Sequence, residues 1–91
     1  MWKIRDRVKI IKSSKLEARL ETKGSVVYIR SHQGRVEILI EFDDYIDGHQ
    51  GASVDYGGKK GHCWWVIEKS QTIAAKDSIT VEKMKRKNNY Y

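Results

Sequence analysis

The sequence predicts an all-β fold, a single small barrel of about five strands that is closed or half-closed. Short runs of β-branched and aromatic residues recur along the chain, and glycine-containing turns separate them. No long segment has the apolar spacing of an amphipathic helix. The 91 residues leave room for one domain with a modest core. Closing the sheet would also remove edge strands that invite aggregation.

The first strand is predicted from strict alternation near the N-terminus. Cationic residues share one face, and apolar residues such as Val8 and Ile10 occupy the other. The cationic residues are Lys3, Arg5, Arg7 and Lys9. The next segment, "KSSKLEARLETKG", is predicted to be a long connection, in which the spacing of Leu16 and Leu20 allows one helical turn.

A hairpin is the clearest element of the sequence. Its strands, "SVVYIRS" and "RVEILIEF", flank the turn "HQGR", where Gly34 can adopt a positive φ. Alternation turns Glu37 and Glu41 outward in the second strand. The inward residues are Val36, Ile38, Ile40 and Phe42. Further strands are predicted at "HCWWVIE" and "DSITVEKM", so that the barrel spans residues 1–82 and residues 83–91 form a basic, flexible tail.

Composition is that of an ordered protein with much exposed surface, at 40% hydrophobic and 33% charged residues. No apolar run approaches the ~20 residues of a membrane helix, and the N-terminal charge pattern is not that of a signal peptide. The single cysteine excludes an internal disulfide, which favours a reducing compartment. We therefore expect a cytoplasmic protein.

The net charge of +6 is unevenly distributed along the chain. Residues 1–20 carry seven basic and two acidic groups, and residues 76–91 carry five and two, whereas the middle is slightly acidic. Such a charge distribution favours anionic partners, or it only keeps the surface solvated. The cationic face of the first strand could track a nucleic-acid backbone together with residues near the C-terminus. Those residues are Lys83, Lys85, Arg86 and Lys87.

A long glycine-rich stretch at residues 45–65, "YIDGHQGASVDYGGKKGHCWW", is the least ordinary part of the sequence. Loops of this length are usually functional or disordered. Imidazole, carboxylate and thiolate groups within it predict a zinc site that would order the loop. The candidate ligands are Asp47, His49, His62 and Cys63. The alternative is that His49 caps a turn and Cys63 is a small core residue.

Two adjacent tryptophans follow the loop, and strand alternation sends Trp64 and Trp65 to opposite faces. Either the loop covers the outer ring, or an exposed ring forms a hot spot for a protein partner. Candidate partner-binding residues are Trp64, Lys59, Lys60 and Tyr56, together with the four cations of the first strand. The sequence contains no Walker loop, serine elbow or paired-cysteine motif, so a non-enzymatic function is predicted.

The order of these segments resembles an SH3-like barrel. More specifically, "EFDDYIDGHQG" followed by "GKKGHCWWV" looks like a pattern in small SH3-like proteins of phages and other mobile elements. At Arg5-Asp6 the sequence departs from that pattern, in which a glycine commonly precedes the aspartate. Some small proteins of such elements inhibit host defences, including CRISPR nucleases. The resemblance therefore implies a protein inhibitor of a host defence nucleoprotein, and the alternative is a nucleic-acid-binding accessory protein.

Overall fold

The computed structural model describes residues 2–67 and 79–84, and within them the fold is all-β, as predicted. Five strands are present: β1 (Arg7–Ser13), β2 (Lys23–His32), β3 (Arg35–Phe42), β4 (Cys63–Ile67) and β5 (Ile79–Lys83). They form one antiparallel sheet in the order β4-β3-β2-β1-β5. β4 approaches β5, but the described residues form no ladder between them, so the sheet is unclosed.

The predicted hairpin is confirmed as β2 and β3. Its register pairs Ile29 with Ile38 and Arg30 with Glu37, and Gly34 in the turn has φ +76°. The register of β2 shifts between Val26 and Tyr28, and that of β1 shifts between Ile10 and Lys12. An extra residue at such a position bends its strand and increases the local twist. The two shifts therefore help to curve the sheet around its core.

One face of the sheet carries the main core. Its buried members from the strands are Val8, Ile10, Val26, Ile38, Ile40, Phe42, Val66 and Ile79. Ala18 from the β1–β2 connection and Ile46 from the β3–β4 loop complete this core. Three of the four predicted inward residues of β3 are buried, and Val36 is partly buried. Leu39 is also fully buried, although it lies on the opposite face of β3.

The β1–β2 connection contains turns and no helix, so the spacing of its leucines does not produce a helical turn. Ala18 is buried there, whereas Leu16 and Leu20 are exposed. In the part of the chain that is described, no helix is long and apolar enough to cross a membrane. Most of the predicted tail, including Lys85, Arg86 and Lys87, lies outside the described residues.

Candidate functional site

The β3–β4 loop (residues 43–62) folds back onto the sheet. Backbone N–H groups of Ile46 and Gly48 both donate to the carbonyl of Gly61 at 2.9 Å, which joins the beginning of the loop to its end. His49 and Cys63 then exchange two backbone hydrogen bonds of 2.9 Å in an antiparallel bridge. The chain thereby begins a sixth strand beside β4 and leaves it after one bridge.

Glu41 holds the middle of the loop against the outer face of β3. One of its carboxylate oxygens accepts from the hydroxyl of Tyr56 at 2.7 Å, and the other accepts from the backbone N–H of Lys59 at 2.7 Å. The hydrogen bond to Glu41, reinforced by burial, raises the pKa of Tyr56 to about 12. The loop therefore covers Leu39 and Cys63 and is ordered by contacts to a carboxylate of the sheet.

Glycine is required where the loop touches the strand. A Cβ atom on Gly48 would overlap the carbonyl oxygen of Cys63. A Cβ on Gly58 would lie 2.6 Å from the Tyr56 ring and 2.9 Å from both the Cys63 sulfur and a Glu41 oxygen. The glycine-rich composition of this loop thus has a packing cause at these two positions.

The two tryptophans of β4 lie on opposite faces, as alternation predicts, and both are partly buried. Trp64 packs against the main core, with the Lys15 ammonium 4.2 Å from its ring centroid and the His49 ring 6.0 Å away. On the outer face the Arg30 guanidinium lies 4.4 Å from the Trp65 centroid. The Tyr28 ring meets Trp65 edge-on at 6.2 Å. Neither indole is covered entirely by the loop.

An open groove of about 470 Å³ runs along β4. Its lining residues are Arg30, Glu37, His49, Trp64, Trp65 and Ile67. Arg30 and Glu37 form an ion pair at 2.7 Å, in which the side chain of Glu37 is only 12% exposed. A fixed ion pair beside two aromatic rings makes a rigid, amphipathic wall of the kind found at protein-binding hot spots. We call this feature the tryptophan groove.

The structure does not bring all predicted partner-binding residues to this groove. The Lys59 and Lys60 residues are exposed on the loop, and the hydroxyl of Tyr56 is bonded to Glu41. β1 does not pair with β4, since β2 and β3 lie between them in the sheet order, and none of the four predicted cations lines the groove. The cations of β1 therefore belong to a different part of the surface.

Carboxylates from distant parts of the chain neutralise much of the cationic face of β1. Arg7 donates two hydrogen bonds to Asp43, the shorter at 2.7 Å, and they lower the pKa of that carboxyl. The ammonium of Lys9 lies 3.5 Å from Glu21 and 3.7 Å from Glu82. Lys3 and Arg5, which were predicted to share this strand face, precede the start of β1, and Arg5 lies in a turn with φ +82°. For these two residues, no ion pair with a carboxylate is found within residues 2–67 and 79–84. The local sequence pattern therefore overstates the positive charge of this face.

The candidate zinc ligands each have another role in the structure. The Nδ1 atom of His49 accepts from the Gly51 N–H at 3.0 Å, and Nδ1 of His62 lies 2.8 Å from the Phe42 carbonyl oxygen. Asp47 accepts from the Tyr45 hydroxyl. Burial, and then the charge of Glu41, raise the pKa of the Cys63 thiol to about 11. No three His, Cys, Asp or Glu side chains among the described residues are grouped so that they could hold a metal ion.

Sequence reasoning did not identify Lys15, Tyr28, Arg30 or Glu37 as neighbours of the tryptophans. The sequence did contain a signal for the pairing of Arg30 with Glu37, since the hairpin register places these two residues opposite each other. The approach of Lys15 to Trp64 depends on how the β1–β2 connection folds across the sheet. Comparison of the chain with protein-family models, with curated proteins and with solved structures finds no match.

Proposed function

We propose that this chain is a non-enzymatic binding module that docks a protein partner at the tryptophan groove. The observation that carries the proposal is the pair of partly exposed indoles, each stacked with a cation, beside a groove of about 470 Å³. Tryptophan and arginine dominate the binding energy of many protein interfaces. Because the ion pair and the loop contacts fix the walls, little ordering entropy is lost on binding.

The wider biological role that we propose follows the resemblance described above. The protein is an SH3-like module of a phage or mobile element that acts in the host cytoplasm and inhibits a defence nucleoprotein such as a CRISPR-Cas nuclease. The approach of β4 to β5 in a curved five-stranded sheet supports the half-closed, SH3-like architecture. Basic charge on the chain, +6 in total, suits a partner that carries anionic surface.

The test is a plasmid-interference assay combined with affinity capture of a host nuclease by the purified protein. Trp65→Ala should reduce capture by about 30-fold or more, the effect of removing an interface hot spot of about 2 kcal/mol. Leu16→Ala serves as the control because it removes an exposed apolar side chain that does not line the groove. Equal capture by the two variants would contradict the proposal.

Nucleic-acid binding through β1 and the C-terminal residues is the second candidate function, favoured by the positive net charge. The ion pairs of Arg7 and Lys9 count against it, since their charges are already partly neutralised. A gel-shift experiment with random DNA and RNA at low salt tests it. Binding through phosphate contacts would weaken linearly with salt on a log–log plot, and the absence of any shift would remove this candidate.

A further inference from the structure

Along β4, the backbone N–H and carbonyl groups of alternate residues bond to β3, and those of the residues between them face away from β3. The N–H of Phe42 donates to the carbonyl of His62 at 2.8 Å, whereas Cys63 directs its N–H and carbonyl to His49 on the other side. Successive residues of an antiparallel strand alternate between its two neighbours. The backbone groups of Trp65 and Ile67 therefore point to the same free edge as those of Cys63, and no described residue bonds to them.

The tryptophan groove lies along that edge. Trp64 lines it from the core face of the sheet and Trp65 from the outer face. An extended segment placed there would direct alternate side chains beside one indole and then beside the other. Backbone hydrogen bonds would provide affinity and the two indole-lined sides would provide selectivity, which is the general scheme of strand addition to a sheet edge.

Charge around the groove favours an acidic occupant. Lys15 and Arg30 lie over the two indoles, and Glu37, the one carboxylate among the described residues that line the groove, is already paired with Arg30. The remaining positive charge attracts carboxylates. A second copy of this chain is a poorer occupant, because it would bring a further net charge of +6 to the interface.

We propose that the free edge of β4 takes up an extended, acidic segment of a partner protein as an additional strand, in line with the bridge that His49 forms to Cys63. This inference rests on the proposed function of the tryptophan groove and specifies the partner's binding mode. The segment pairs with the N–H and carbonyl groups of Trp65 and Ile67. Its carboxylates lie on the Trp64 side, near Lys15, and its apolar side chains lie on the other side, against Trp65.

The test separates backbone pairing from side-chain contact. Ile67→Pro deletes an N–H that points to the free edge and leaves the ladder to β3 intact, since proline is tolerated at a sheet edge. Ile67→Thr is the matched control, because it shortens the side chain and keeps the N–H. The probe is a display library of random short peptides selected against the wild-type protein, followed by amide hydrogen exchange of the complex.

We expect selected peptides to be acidic, to alternate polar with apolar residues, and to slow exchange of the Trp65 and Ile67 amides. Ile67→Pro should weaken their binding by about tenfold or more, the loss of one hydrogen bond, while Ile67→Thr binds nearly as well. Failure to select any peptide, selection of basic peptides, or unchanged exchange of the two amides would overturn the inference. The amide exchange of Trp65 and Ile67 is measured on the wild-type protein, so it tests the inference even if Ile67→Pro does not fold.

Outcomes for the host partner distinguish this inference from the proposed function. If Trp65→Ala loses the partner and Ile67→Pro retains it, the groove binds protein but not as an added strand. If both variants retain the partner, the proposed function fails as well. Dimers in sedimentation experiments that dissociate in Ile67→Pro would assign the edge to a second copy and overturn the proposal of an acidic partner.

Discussion

The contact between Glu41 and the β3–β4 loop gives the sharpest prediction about stability. Glu41→Gln preserves the shape of the side chain and replaces one carboxylate oxygen by an NH₂ group. Both oxygens now accept hydrogen bonds of 2.7 Å, from the Tyr56 hydroxyl and from the Lys59 N–H. The glutamine amide can accept only one of them, and its NH₂ group would face the other donor. One hydrogen bond is lost, and the acceptor of the other becomes neutral.

The magnitude follows from these two bonds. A hydrogen bond to a charged group contributes roughly 1.5–3 kcal/mol and a neutral one about 1 kcal/mol. Because Glu41 is partly exposed, solvent screening favours the low end of this range, and we expect a loss of about 2 kcal/mol. In a domain of this size, that loss lowers Tm by about 8–16 °C. Tyr56→Phe removes only one of the bonds and should lower Tm by about half as much.

Thermal melts followed by circular dichroism test this expectation. Asp44→Asn is the matched control: it makes the same chemical change at an exposed carboxylate, for which no hydrogen bond is found among the described residues. It should change the free energy of unfolding by less than about 0.5 kcal/mol. Amide exchange at Lys59 reports whether the loop has detached locally. If Glu41→Gln melts like Asp44→Asn and protects Lys59 equally, Glu41 does not hold the loop.

Four further results are expected. Ile38→Asp should abolish the folded circular-dichroism spectrum, since it buries an unpaired charge at a cost of several kcal/mol; a native spectrum would show that the core is misassigned. Gly58→Ala should lower the free energy of unfolding by about 1–3 kcal/mol through overpacking, and Gly57→Ala, with open space around its Cβ, should not. The folded pKa of Cys63, about 11, exceeds the ordinary value of 9.0. The protonated thiol therefore contributes its full stabilisation below about pH 9, and this contribution is lost as the pH rises toward 11. Denaturant titrations over that interval should show a smaller decrease in the free energy of unfolding for Cys63→Ser than for the wild-type protein. The zinc hypothesis predicts near-stoichiometric metal in protein purified without chelator and a lower Tm on chelation; metal-free protein with no thermal response to zinc would contradict it.

The alternation of apolar and polar residues allowed much of the fold to be predicted. Side chains of a strand alternate between faces wherever the strand lies, so the sequence of β3 was enough to place Ile38 and Ile40 inward and Glu41 outward. The same local rule separated Trp64 from Trp65. These properties depend on neighbouring residues alone, which is why no knowledge of the remaining chain was needed.

The sequence could not show what each outward side chain meets. Alternation alone would make Glu37→Lys nearly silent, yet Glu37 is paired with Arg30 and its side chain is mostly buried. Likewise Arg7 appeared to belong to a cationic face, whereas Asp43, distant in sequence, binds it. Both outcomes depend on strand register and on which strands become neighbours.

Only the tertiary structure decided how the long loop is ordered and which edge of β4 is left unpaired among the described residues. A zinc site was one of two ways in which the loop could be ordered; in the structure, the contacts of the loop run to Glu41 and to the backbone of Cys63. The ladder to β3 decides which backbone groups of β4 point away from it, and these groups are bonded to His49 at Cys63 and directed outward at Trp65. Sequence periodicity defines the face on which a side chain lies. The partners of that face, and of the strand edge, depend on chain segments brought together only by folding.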